Sequence, residues 1–258
     1  MKGLLRWLLL VLVAAIALQI FFVVRIAVMA AIAPQSTSFQ RSEAWRIATE
    51  KHSLRWRQQW VPYSRISDNL KRAVIASEDG SFTNHDGVDW EALEKAWARN
   101  TRAEEQAARH NAQQAARAAR RGKAPDAAPA RPERQPKVVG GSTITQQLAK
   151  NLLLSGERLL PRKAQELMLA FVLERMLSKE RILEIYLNSV EWGEGVFGAE
   201  AAAQHYFRKS AAQLSAYEAA RLAVMLPRPR YFEKLANSGY LASRANTIVA
   251  RMRDAELP

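Results

Sequence analysis

The hydrophobic pattern divides the chain into unequal parts. Residues 7–24 form an apolar run broken only by Gln19. After Arg25 a second apolar patch continues to Ala33, and Pro34 stops it. A helix needs about 20 apolar residues to cross a bilayer, so this run can span one. Lys2 and Arg6 precede it, and Arg25 lies near its far end, where the side chain can snorkel. The basic residues before the span place the N-terminus in the cytoplasm and the bulk of the chain outside. A cleaved signal peptide is the competing reading. The run is longer than an ordinary signal core, and the Ala-x-Ala at 31–33 falls late, which favours an uncleaved anchor over residues 1–33.

Residues 34–65 form a polar juxtamembrane segment with scattered aromatics: Trp45, Trp56, Trp60 and Tyr63. Beside Arg46, Lys51, Arg55 and Arg57 they suit a membrane–water interface or a satellite core. The folded domain is expected over 66–258. Ser67 or Asp68 can cap a helix whose apolar positions include Leu70, Ala73, Val74 and Ala76. Residues 77–87 then make a glycine-containing loop, and 90–97 read as a helix with Leu93 and Trp97 on one face. Further helices are expected near 143, over 162–178 and 179–188, over 199–206, from Ser215 to Leu226, and over 240–252. Thr143/Gln146, Ser210/Gln213 and Ser215/Glu218 all have capping-box spacing. Glycines punctuate 191–198. No strand alternation and no internal repeat is visible, so the class is all-α on a single membrane helix.

Composition changes this picture in two places. Residues 101–137 carry twelve alanines, seven arginines, two lysines, four prolines and no aromatics. The first half can form a loose helix, but the proline-rich second half cannot build a core. The segment reads as a mobile basic insertion, solvated or touching acidic lipid headgroups. Without the anchor and the insertion, roughly 190 residues are left, enough for one domain with a core. The net charge of +13 directs attention to nucleic acid, anionic lipid or a phosphorylated substrate. An anchor that exports the domain argues against nucleic acid. There is no cysteine, so disulfides and thiolate metal sites are excluded.

Three stretches can carry chemistry. The first is residues 140–151, GGSTITQQLAKN. Glycines allow close backbone approach, and a helix beginning near Thr143 offers free N–H groups and a partial positive charge. With the hydroxyls of Ser142 and Thr143 and with Lys150 two turns on, this suits an anionic, oxygen-rich group. It is not a nucleotide P-loop. The second is Glu78-Asp79, where neighbouring carboxylates perturb each other and a desolvated glutamate can act as a base. His85 can orient a carboxylate or a backbone group. The third is Arg162, Lys163 and Glu166, which share a helix face. They form either an ordinary ion-pair cluster or a clamp for a leaving phosphate, with Glu166 steering the cations or holding a divalent metal. Lys150 and Arg158 can add positive charge.

The order EDGSFTNHDG, GGSTITQQLAKN, RKAQE, KERILEIYLN and GEGVFGAEAAAQHYF resembles the peptidoglycan glycosyltransferase family, over about residues 60–252. The same domain begins bifunctional penicillin-binding proteins. No penicillin-binding segment follows Pro258, so a monofunctional Gram-negative transglycosylase is the expectation. The resemblance implies an α-helical, lysozyme-like domain behind an inner-membrane anchor, with the domain in the periplasm. It implies that Glu78 is the base that takes the proton from the acceptor 4-hydroxyl of lipid II. Asp79, Phe82, His85 and Gly87 match positions that shape that loop around the substrate. Ser142, Thr143, Gln146, Lys150 and Asn151 match the donor cleft, with Lys150 near the pyrophosphate. Arg162, Lys163 and Glu166 match a second catalytic cluster, and Arg158 a family arginine outside the tight motif. Tyr186 and Asn188 match a structural motif. The implied donor is a growing glycan on undecaprenyl pyrophosphate, and Mg²⁺ or Mn²⁺ is the implied cofactor. Penicillin-binding and divisome proteins are the implied partners. Competing functions are a lytic transglycosylase, which would cleave glycan, and a catalytically inert scaffold. The family joins the first two motifs by a shorter loop than residues 101–137, so processivity or a partner contact can differ here.

Overall fold

The computed structural model describes residues 2–120, 134–136, 140–154 and 160–258. The first apolar run is one helix, α1 (Lys2–Met29). Most of its large side chains are exposed, but Phe22, Ile26 and Met29 near its end are buried in the core. Among the described residues, α1 is the one helix long and apolar enough to cross a membrane.

The juxtamembrane segment is more ordered than its polarity suggests. Helix α2 (Ser38–Lys51) opens on a capping box. The Gln40 N–H donates to Thr37 Oγ1 at 3.0 Å, and the Thr37 N–H donates to Gln40 Oε1 at 2.8 Å. A short strand, β1 (Arg57–Gln58), follows. Three of the four aromatics pack inward, Trp60 and Tyr63 against the main core. Trp56 stacks on Phe197 at 4.5 Å, Trp60 donates to Glu184 beneath Arg181, and Tyr63 lies under the Lys71 ammonium. Trp45 is exposed.

Ser67 caps α3 (Asp68–Glu78), its hydroxyl accepting from the Asn69 N–H at 3.2 Å. Helix α4 (Trp90–Arg120) runs far beyond residue 97 and takes in the alanine-rich first half of the insertion. Alanine has the highest helix propensity, which accounts for the continuation. Most of the second half of the insertion lies outside the described residues. Then come α5 (Ile144–Leu153), α6 (Leu160–Met176) and α7 (Lys179–Ser189). The strands β2 (Glu191–Gly193) and β3 (Val196–Phe197) precede α8 (Ala199–Phe207), α9 (Ala216–Met225), α10 (Pro229–Glu233) and α11 (Gly239–Arg251). Ser215 and Glu218 form the expected capping box of α9. Ser210 and Gln213 do not: only a 3-10 turn follows Ser210, and its side chain caps nothing.

The chain divides into two compact units, Met1–Val88 with Thr143–Pro258, and Asp89–Ser142. In the smaller unit, the Asn111 side chain exchanges two hydrogen bonds with the backbone of Arg134. In the larger, α9 packs on α3 and α11, α5 packs on α6 and α7, α2 rests on α5, and α1 rests on α6. Among the described residues the fold is all-α apart from one small ribbon, in strand order β1-β3-β2. Its strands are two or three residues long, and β2 and β3 are buried on both faces. Such strands leave no alternation for a sequence to display. The glycines here are obligatory. Gly195 has φ +73°, and a Cβ on it would lie 2.0 Å from the Arg55 carbonyl oxygen.

Asn188 ties this ribbon region to the segment before α3. It is fully buried. Its Oδ1 accepts from the Val61 N–H at 3.0 Å, and its Nδ2 donates to the carbonyls of Val61 at 2.9 Å and Glu184 at 2.8 Å. Asn188→Ala strands the buried Val61 N–H and carbonyl. A loss of about 3 kcal/mol in unfolding free energy is expected, read from chemical denaturation in detergent. An unchanged midpoint would show that Val61 finds other partners.

Candidate active site

The end of α3 places two carboxylates side by side and sends them to different partners. Asp79 is 6 % exposed. Its oxygens meet His85 Nε2 at 2.9 and 3.1 Å, and one of them accepts from the Ile144 N–H at 2.9 Å. Ile144 is the first residue of α5, so Asp79 satisfies a free N–H at that helix start. Thr143 works at the same junction. Its hydroxyl donates to the Gly87 carbonyl at 2.6 Å and accepts from the Gln146 N–H, while the Gln146 side chain accepts from the Thr143 N–H. The loop 79–87 is thus fastened at both ends to the start of α5.

A second set of bonds supports that loop from below. Glu174 of α6 is nearly buried and accepts from the Thr145 hydroxyl at 2.6 Å and from Lys179 at 2.8 Å. Lys179 also donates to the His85 carbonyl at 2.5 Å and sits 4.6 Å from the centre of the buried Phe82 ring. Asp79, Phe82, Thr143 and Gln146 are therefore buried and satisfied inside the protein. The expectation that they bind substrate becomes a positioning role, with His85 held by Asp79.

Glu78 has a different partner. It is half-buried, and Gln147 Nε2 donates to its Oε2 at 3.0 Å. Gln147 is itself oriented, because the Tyr186 hydroxyl donates to its Oε1 at 2.9 Å. Burial, reinforced by Glu78 and Asp79, holds the Tyr186 phenol well above its ordinary pKa, so it stays a donor. Burial also pushes the Glu78 carboxyl above the usual glutamate value. The Gln147 bond opposes this shift, Asp79 adds to it, and Lys150 opposes it.

Gln147 and Tyr186, the groups that hold Glu78, line a cleft of about 430 Å³ together with Lys150, Asn151, Arg162 and Glu191. Lys150 keeps contact with solvent, yet lost hydration brings its ammonium below the ordinary lysine value. Glu166 opposes that shift, Arg162 and Lys163 reinforce it, and Glu78 opposes it. Glu166 is 4 % exposed and pairs with Lys163 and, at 3.6 Å, with Arg162. One buried carboxylate between two cations holds those cations in place. It does not fit a divalent metal ion. Both its oxygens are engaged by cations, and no group of three or more His, Cys, Asp or Glu suited to a metal occurs among the described residues.

The structure thus brings Glu78, Lys150, Asn151, Arg162, Lys163 and Glu166 to one region of the larger unit. Ser142 is exposed and ends the smaller unit. Arg158 lies outside the described residues. Gln147 and Tyr186 are the additions. The sequence reading assigned Gln146 to the cleft, but Gln146 is consumed by the capping box. Helix periodicity does not separate the two glutamines, because Gln146 and Lys150 at i, i+4 are neighbours just as Gln147 and Lys150 at i, i+3 are. The available signal is the capping-box spacing of Thr143 and Gln146, which marks Gln146 as engaged.

A family profile described as Transglycosylase matches residues 45–124 and 125–253. The chain belongs to the transglycosylase family. The two matched pieces meet inside the 101–137 insertion. Among curated relatives, one from Herminiimonas arsenicoxydans is 48% identical over 100% of this chain and 99% of its own length. One from Bordetella pertussis is 51% identical over 87% of this chain and 82% of its own. One from Burkholderia thailandensis is 49% identical over 95% of this chain and 84% of its own. Each is named a biosynthetic peptidoglycan transglycosylase.

Gln147→Ala removes a hydrogen bond to ionised Glu78. The Glu78 carboxyl should then titrate at higher pH than in the parent, because a bond that favours the charged form is lost. Tyr186→Phe should shift it in the same direction by less. Infrared titration of the carboxylate band, with Glu78→Gln as the blank, reads both. A downward shift in Gln147→Ala would contradict this geometry.

Proposed function

We propose that this enzyme is a peptidoglycan glycosyltransferase that polymerises lipid II, with Glu78 as base and the cluster around Arg162 as the pyrophosphate end of the cleft. The observation that carries the reading is Glu78, held by Gln147, which lines one cleft together with Lys150 and Arg162. The family membership and the names of the relatives agree with it.

The site's chemistry supports a single displacement. The acceptor 4-hydroxyl loses its proton to Glu78 as its oxygen bonds to the donor anomeric carbon. The bond from that carbon to the pyrophosphate oxygen breaks, and undecaprenyl pyrophosphate leaves with the electron pair. The α linkage becomes β-1,4 by inversion. A raised glutamate pKa makes Glu78 a stronger base. The leaving group is already a weak base, so it needs charge neutralisation more than a proton. Lys150, Arg162 and Lys163 supply that positive charge, and Glu166 keeps two of them aimed. An enzyme that cleaves glycan would need an acid at the bond and has no use for this cluster. In the same reading, Lys2 and Arg6 hold the N-terminus in the cytoplasm. α1 crosses the inner membrane once, and the catalytic unit faces the periplasm.

The purified protein in lipid vesicles should convert lipid II into long glycan. Glu78→Gln should lower that rate by about 10²–10⁴-fold, the range for losing a general base. The same change should leave the melting temperature unchanged or raise it. A carboxyl whose pKa is raised by folding costs stability once pH exceeds its folded pKa, and the amide removes that charge. Wild-type inactivity on lipid II would overturn the function, and full activity of Glu78→Gln would overturn the base.

A further inference from the structure

Gln19 is the polar interruption of the membrane span, and it is not idle. Its Nε2 donates to Gln165 Oε1 at 3.2 Å, and Gln165 Nε2 donates back to Gln19 Oε1 at 2.9 Å. An unpaired amide in hydrocarbon is costly, and here each amide satisfies the other. The contact continues along α1. Phe22, Ile26 and Met29 are buried against the folded unit, Arg181 Nε donates to the Met29 carbonyl at 2.8 Å, and Arg25 donates to the Ser36 carbonyl at 3.2 Å. From Gln19 to Met29 is about 15 Å of helix at 1.5 Å per residue. A passive tether requires no such interface and would show lipid a uniformly apolar surface.

Gln165 directly precedes Glu166 on α6, the helix that also carries Arg162 and Lys163. We propose that the Gln19–Gln165 pair is a positioning device, locking the membrane anchor to α6 so that the cationic cluster meets the lipid-borne diphosphate at a fixed depth and rotation. The proposal rests on the reading of the cleft as a transferase site for a lipid-linked donor. Gln19 and Gln165 touch no substrate. They act through α6.

The chain has no cysteine, so Gln19→Cys combined with Gln165→Cys introduces its only two thiols. The full-length double variant is placed in phospholipid vesicles with lipid II. A short reducible bis-methanethiosulfonate should join the two thiols within one molecule, read by mass spectrometry. Before linking, KM for lipid II should be about fivefold above wild type, with kcat little changed, the scale of one interhelical hydrogen bond. Linking should return KM to near the wild-type value, and reductant should raise it again. The same molecules are compared in both states, so a folding defect cannot mimic the reversal. An adduct between two molecules would assign Gln19 to anchor self-association and overturn the proposal. A KM unaffected by linking would overturn it too. Wild-type inactivity would sink the transferase reading and this coupling with it, whereas an active wild type with an indifferent pair sinks the coupling alone.

Discussion

Two carboxylates at the end of one helix repel each other, and the protein uses that repulsion by giving them unlike partners. Asp79 is committed to the first N–H of α5 and to His85. That commitment closes the loop 79–87 onto α5, and α5 then presents Gln147 to Glu78. The Asp79 bond to Ile144, with that of Thr143 to the Gly87 carbonyl, fixes the register between the end of α3 and the start of α5. Glu78 closes α3, and Lys150 lies on α5. A buried charge–dipole contact of this kind is strong because water cannot compete for it.

Desolvation acts on Glu78 and Lys150 with opposite consequences. It raises Glu78, so the proposed base holds an accepted proton more tightly. It lowers Lys150, so the proposed partner of the diphosphate holds its proton less tightly. The second effect would be harmful alone, and Glu166 counters it. Burying Glu166 between Arg162 and Lys163 leaves the local sum positive while lending Lys150 a nearby anion. One buried carboxylate thus serves three cations, an arrangement in which a single added positive group would destabilise the others.

How much of this was legible in the chain depended on the kind of interaction. Helix starts fixed by local side-chain caps were readable: Ser67, Thr143 and Ser215 all cap as their spacing implies. The same spacing at Ser210 failed, because no α-helix follows to supply the N–H groups. The box at Thr37 and Gln40 was equally readable but sat in a stretch judged by its polarity. Glu78 and the Arg162 cluster were recognisable as residue types. Which glutamine faces Glu78 was less so, because both are neighbours of Lys150 on the helix and only the capping spacing of Thr143 and Gln146 tells them apart. The ribbon was invisible, since β1 and β3 pair across well over a hundred residues of sequence. The Gln19–Gln165 contact was invisible for the same reason.

Helix α6 makes contact in two directions, and this constrains how the enzyme can be built. Its first turns hold the cations of the cleft, and Gln165 on the same turns meets the anchor. In the proposed membrane placement of α1, a tilt of that helix must either move the cationic cluster with it or break the amide pair. A substrate whose leaving group is itself a membrane lipid arrives confined to the same plane as the anchor. Confinement raises effective concentration only when the geometry allows both partners to engage, and it is lost when they sit at mismatched depths. A docked anchor meets that condition by construction. A flexible tether would leave the depth of the cleft to chance and forfeit part of the gain at each encounter.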